Sequence, residues 1–235
     1  MDIKLTKKPT KVRIIEGFPG FGLIGTITTE FLIEHLKAEK IGSFMYEDLP
    51  ATVAVHNEKL VDPMGIFYNK EYNLVILHTI LNSTGLEWKL QKNISKMAKD
   101  MEAVEIISLE GVSSPNVTES EKVFFFTNKE KNKAKLEKIG LLPLKESIIV
   151  GVSGALMLRE KTPLTCMFAE TRTDMPDSKA ASNIIKALDN YLGLKVDYKP
   201  LLKQAEKFEE KFKKILKQSS IAAKDVDKKK LNYLG

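Results

Sequence analysis

Along the first 195 residues, apolar positions switch repeatedly between strand-like and helix-like spacing, which predicts a sheet covered by helices. Residues 12–16 form an apolar run that ends in a glycine-rich turn. Residues 26–37 then place Ile27, Phe31 and Leu32 on one helical stripe, with Gly42 expected at the exit. Four strand-like stretches follow, at residues 43–46, 52–56, 59–67 and 74–80. Only short turns separate them, so hairpins and a mixed sheet are expected.

Thr84-Gly85-Leu86-Glu87 has the spacing of a capping box, and the helix it opens carries Leu86, Leu90, Ile94, Met97 and Met101 on one stripe. Residues 104–109 and 123–127 read as strands, and residues 130–139 as a lysine-rich surface helix. Residues 147–152 and 163–170 read as short buried strands. Pro176-Asp177 starts a helix through Tyr191, and Gly193 suits its left-handed end. From Pro200 the pattern changes. Leu201, Ala205, Phe208, Phe212, Ile215, Ser219, Ala222 and Val226 repeat with alternating spacings of four and three, a heptad seam. Two arrangements satisfy it: a helix lying back on its own domain, or one packing on a symmetry mate. The expected organisation is a core over 1–196, an amphipathic helix over 197–219 and a flexible basic tail over 220–235.

Charge sharpens that division. The chain has 37 basic and 31 acidic residues, and twelve lysines against six acids fall after residue 194. The whole positive excess therefore belongs to the C-terminal segment. A basic segment attracts nucleic acid or an acidic protein surface. Arg13, Arg159 and Arg172 are the only arginines, so the tail lacks the side chain best suited to phosphate and guanine, which argues against nucleic acid. No apolar run approaches the ~18 residues of a membrane span, and the N-terminus lacks the core of a secretion signal. A soluble, cytoplasmic protein with no membrane partner is expected. Cys166 lies in an apolar run and reads as a buried, inert thiol.

Three patterns invite a chemical reading. Gly20-Phe21-Gly22-Leu23-Ile24-Gly25 matches the dinucleotide fingerprint, with Glu47 and Asp48 downstream. The same glycines also permit close packing of a helix on a sheet, and Gly17-Phe18-Pro19 makes the turn longer and more apolar than a phosphate cradle needs. Gly151-Val152-Ser153-Gly154-Ala155 approaches a nucleophile elbow, but His35, His56 and His78 all precede the serine. The hydrolase chain order is thereby excluded. Those scattered histidines have no metal-ligand spacing and read as structural. Glu170, Arg172, Asp174 and Asp177 cluster at a strand-to-helix junction, as an ion-pair network with a helix cap or as the lining of a site. No catalytic, metal or cofactor residue is assigned.

The run Ile14-Ile15-Glu16-Gly17-Phe18-Pro19-Gly20-Phe21-Gly22-Leu23-Ile24-Gly25 resembles the opening of an archaeal member of the proteasome-assembly-chaperone (PAC2-like) family. The resemblance continues through Gly151, Ser153 and Gly154 and through Asp174, Pro176 and Asp177. It implies a three-layer α/β fold like that of the phosphorylase/hydrolase group, without those enzymes' catalytic residues, and assembly into homo-oligomers, for which the heptad positions Leu201, Phe208, Phe212 and Ile215 are the candidate oligomer helix. It further implies docking on the α subunits of a 20S proteasome by a tail reading hydrophobic–Tyr–any residue. Here Tyr233 stands third from the end, between Leu231-Asn232 and Leu234-Gly235, one residue out of register. The sequence-based expectation is a non-enzymatic, homo-oligomeric scaffold or adaptor. The alternative is a nucleotide-binding enzyme or sensor using the Gly20–Gly25 turn.

Overall fold

A computed structural model of the chain describes residues 2–45, 54–56, 59–61, 64–81, 83–113, 122–171, 175–203, 209–210 and 213. In chain order its elements are β1 (Asp2–Leu5), β2 (Arg13–Gly17), α1 (Ile24–His35), β3 (Glu39–Met45), β4 (Ala54–His56), β5 (Lys59–Val61), β6 (Met64–Asn69), β7 (Leu74–Thr79) and α2 (Glu87–Asp100). Then come β8 (Glu105–Ser113), β9 (Val123–Thr127), α3 (Glu130–Lys138), β10 (Leu142–Pro143), α4 (Gly151–Arg159), β11 (Leu164–Thr171), α5 (Ser178–Leu192) and α6 (Lys199–Lys203).

Nine strands make one mixed sheet in the order β1-β3-β6-β7-β2-β8-β11-β9-β10, and β4 pairs with β5 as a separate hairpin. β7, β2, β8 and β11 run parallel at the centre. β1, β3, β6 and β7 are joined antiparallel, and the consecutive pairs β4–β5 and β6–β7 are hairpins of the kind that the short turns predict. Successive residues on the central strands face opposite layers. Ile15 and Ile107 pack with α1, α3 and α5, while Ile14, Ile106 and Cys166 pack with α2 and α4. The fold is thus three layers, helix–sheet–helix.

α2 buries the predicted stripe of Leu90, Ile94, Met97 and Met101. The helix begins two residues later than a Thr84 cap would place it. Leu86 occupies the cap position, and the Glu87 carboxylate accepts from the Gly85 N–H at 3.0 Å. Gly42 does not close the first helix. α1 ends at Leu36, Lys37 turns with φ 50°, and Gly42 lies inside β3, where a Cβ would stand 2.2 Å from the Lys4 carbonyl oxygen.

Residues 147–152 are not a strand. Ile148 is 91% exposed, Gly151 takes φ 82°, and α4 begins there. Val152, Ala155 and Leu156 sit three and four residues apart, so helical spacing gives them one buried face. That period outweighs the β-branched run before it.

α5 matches its sequence signals: Asp177 caps it, accepting from the Ala180 N–H at 2.9 Å, and Gly193 ends it with φ 72°. Beyond it, α6 returns to the domain, and Leu201 is fully buried beside Leu194 and Val196 in the same core cluster. The first position of the heptad seam therefore packs on its own chain. Phe208, Phe212, Ile215 and the Leu231–Gly235 tail lie outside the described residues, as do Glu47, Asp48, Arg172 and Asp174.

Candidate functional site

The chain leaves β2 toward β3 and leaves β8 toward β9, so these adjacent parallel strands form a switch point where ligand crevices of α/β sheets occur. The glycine-rich turn sits at their carboxyl ends. Gly22 (φ 64°) and Leu23 (φ 49°) are both left-handed, and for leucine that conformation is strained by roughly 1–2 kcal/mol. The packing fixes it. A Cβ on Gly17 would stand 2.2 Å from the Gly25 carbonyl oxygen, and one on Gly111 of β8 2.2 Å from the Phe21 carbonyl oxygen. The Asp177 N–H donates to the Gly22 carbonyl at 2.9 Å, tying the turn to the start of α5. Thr171, at the end of β11, donates to the Asp177 carboxylate at 2.9 Å. The Ser178 N–H donates to Glu209 at 3.3 Å, so the chain after α6 passes beside the same helix start.

Beneath the turn lies a buried polar chain. Ser108 of β8 bonds to the Glu16 carboxyl of β2. Its hydroxyl is 2.7 Å from that of Ser153 on α4, which in turn is 2.7 Å from the Glu110 carboxyl of β8. Gly20 rests on this last group: a Cβ there would be 1.7 Å from Glu110 Oε1. Gly151 lies next to it, its Cβ position 4.0 Å from the other oxygen. Gly154 makes room for its own chain, since a Cβ would stand 2.8 Å from the Ile149 carbonyl.

Burial removes water from both carboxyls and so favours their neutral forms. Desolvation lifts Glu16 to about 7, against hydrogen bonds from Ser108 and the Phe18 N–H. It lifts Glu110 to about 8, with the Ser153 bond opposing and the Glu16 charge assisting. Burial also pushes the Cys166 thiol up, with the Glu16 charge adding to the effect. That is the reverse of what an activated nucleophile requires.

Two predicted motifs therefore meet here. Gly17, Pro19, Gly20, Gly22 and Gly25 supply the turn. Gly151, Ser153 and Gly154 supply the α4 side, while Asp177, preceded by the buried Pro176, supplies the anchor. Gly17 and Gly25 face backbone and Gly20 faces a carboxyl, so the fingerprint glycines serve close packing. Ser153 hydrogen-bonds to carboxyl and hydroxyl partners, with no histidine in its chain. His78 instead contacts Glu30 and Thr29, each at 2.9 Å. Glu16, Ser108 and Glu110 escape motif reasoning. Their signal is a repeated pattern: Ile14-Ile15-Glu16-Gly17 and Ile106-Ile107-Ser108-Leu109-Glu110-Gly111 each place a carboxylate before glycine in a largely apolar parallel strand.

The sequence matches the PAC2 family over residues 14–216. The chain belongs to the PAC2 family. An uncharacterised protein of Methanocaldococcus jannaschii is 25% identical over 214 residues, 87% of this chain and 85% of that relative. Among solved structures, Pyrococcus furiosus PbaA, described as an archaeal homolog of proteasome-assembly chaperone, is 28% identical with a TM-score of 0.84. That match covers 94% of this chain and all of PbaA. P. furiosus PbaB, described as an archaeal proteasome activator, shares the fold at a TM-score of 0.74 and 24% identity, over 91% of this chain and 98% of PbaB. The three-layer mixed sheet is therefore the PAC2 fold, with the switch-point turn near the start of the family's matched region. Among the described residues no helix is long and apolar enough to cross a membrane.

Proposed function

We propose that this PAC2-family chain is a non-enzymatic, homo-oligomeric scaffold or adaptor of cytoplasmic proteasome assembly. It presents several copies of its C-terminal segment to 20S proteasome α subunits. The observation that carries this reading is the end-to-end likeness to PbaA, a homolog of proteasome-assembly chaperone. Two features support self-association: the heptad positions Phe208, Phe212 and Ile215, and the exposed apolar Ile148, Val150 and Leu158 on and before α4. In the tail, Tyr233 with Leu231, Leu234 and Gly235 suits an apolar pocket on the partner. Multiple tails on one oligomer raise avidity by ~100-fold or more where spacing permits.

The test is a pull-down on archaeal-type 20S proteasome, using the full chain and a version ending at Lys230. Retention of the full chain with loss of the shortened one is expected. Equal retention of both, or of neither, overturns docking through the tail.

A further inference from the structure

We propose that Glu16, Ser108, Ser153 and Glu110 form a single-proton relay that holds the turn over residues 17–23 closed, and that losing this one proton releases the turn. Three contacts join the four side chains in a line: Glu16 to Ser108, Ser108 to Ser153, and Ser153 to Glu110. Each contact needs one proton between its oxygens. A serine hydroxyl brings one proton and an ionised carboxylate brings none. Two serines therefore fill two links, and the third requires a carboxyl proton on Glu16 or Glu110. With that proton, every link is filled, and the line runs in either direction. Without it, two oxygens face each other with lone pairs only, in a line whose Glu16, Ser108 and Ser153 are buried from water while Glu110 is partly exposed.

Among the described residues the surroundings offer the second charge no counter-ion. The groups acting on the pair are the Phe18 N–H from the turn, Ser108 from β8, Ser153 from α4 and the Cys166 thiol from β11. None is a cation. The buried side of α2 presents Leu90, Gln91, Ile94, Met97 and Ala98, which do not titrate. A doubly ionised pair must draw in water, and the turn rests directly on Glu110 through Gly20. Lifting the turn hydrates the carboxylates and relaxes left-handed Leu23. Glu16 and Glu110 are raised to about 7 and about 8, so the pair sheds its carboxyl protons in turn, and the last one, which the line requires, leaves at about 8.

Hydrogen–deuterium exchange of the full chain, corrected for intrinsic exchange, tests this between about pH 6 and about pH 9. Protection over residues 17–23 is expected to fall on the order of tenfold or more as the proton leaves. In Glu110→Gln the amide donates to Ser153, which completes the line with Glu16 ionised, so protection should stay level. A level wild type, or a variant with the wild-type dependence, overturns the proposal. Infrared spectroscopy of the wild type keeps the test open should the variant fail to fold. The band of a buried protonated carboxyl must be present at the lower pH and vanish at the higher, and its absence at the lower pH overturns the relay.

Discussion

A Cβ on Gly25 would stand 2.4 Å from the Leu109 carbonyl oxygen and 2.8 Å from Gly17 Cα, so α1 reaches the sheet only through a residue without a side chain. Gly25→Ala should cost at least ~1–3 kcal/mol, because backbone on both sides must move. Urea denaturation reads this as a lower midpoint. The buried carboxyls set a second expectation. Folded Glu16 and Glu110 keep protons that the unfolded chain releases near 4.5, so the folded state binds more protons up to about 7 and about 8. Their stabilisation is fullest below 4.5, is lost as pH rises through that window, and levels off above it. Each proton contributes a slope of roughly 1 kcal/mol per pH unit inside its window. Glu110→Gln should remove the larger share of this slope in urea melts taken across the range. A slope unchanged by the substitution would contradict the assignment. Neither carboxyl carries a motif. What the sequence does hold is an acid before glycine in an apolar strand, a pattern costly to bury and therefore informative.

α5 is the element whose ends the chain spells out. Asp177 caps it and also accepts from Thr171, while its own N–H holds Gly22. Asp177→Ala should lower stability by about 1–2 kcal/mol, as measured by chemical denaturation. Alanine keeps the backbone N–H that holds Gly22, so amide exchange over the glycine turn should stay near the wild type while that of the first turn of α5 rises. α4 marks the limit of local reading. Ile148-Ile149-Val150 has strand composition, yet Ile148 and Val150 are exposed. The buried positions begin only after Gly151 turns the chain. α2 needed no such help, because five apolar residues at helical spacing fix both its identity and its inward face. The short edge strands β1 and β10 carry too few residues to declare themselves, and pairing with β3 and β9 defines them.

For the molecule as a whole, the open matter is what the C-terminal segment holds together. Leu201 belongs to the domain core, so the informative cut falls after Lys203, not before Asp197. Light scattering on the full chain and on a chain ending at Lys203 should give an oligomer and a monomer respectively. An unchanged mass would assign assembly to the α/β body, with the exposed apolar residues around α4 as the face to alter next. The removed segment holds nine lysines against five acids, four of the six excess positive charges, so the shortened protein should also elute earlier from a cation exchanger.

The order of apolar periods determined the α/β class, the mixed sheet, the α2 and α5 helices and the positions of both glycine motifs, because those depend on spacing between near neighbours. The composition of the last forty or so residues likewise assigned the net charge to one segment without reference to any fold. Tertiary structure decided which distant residues share one small volume. Glu16 and Ser108 are 92 positions apart and Ser153 and Glu110 are 43 apart. Their meeting depends on β8 crossing to lie beside β2 and on α4 covering both. No local period encodes that convergence. The sequence supplied two acids before glycine in apolar strands, and only the sheet order made them one linked pair under the turn.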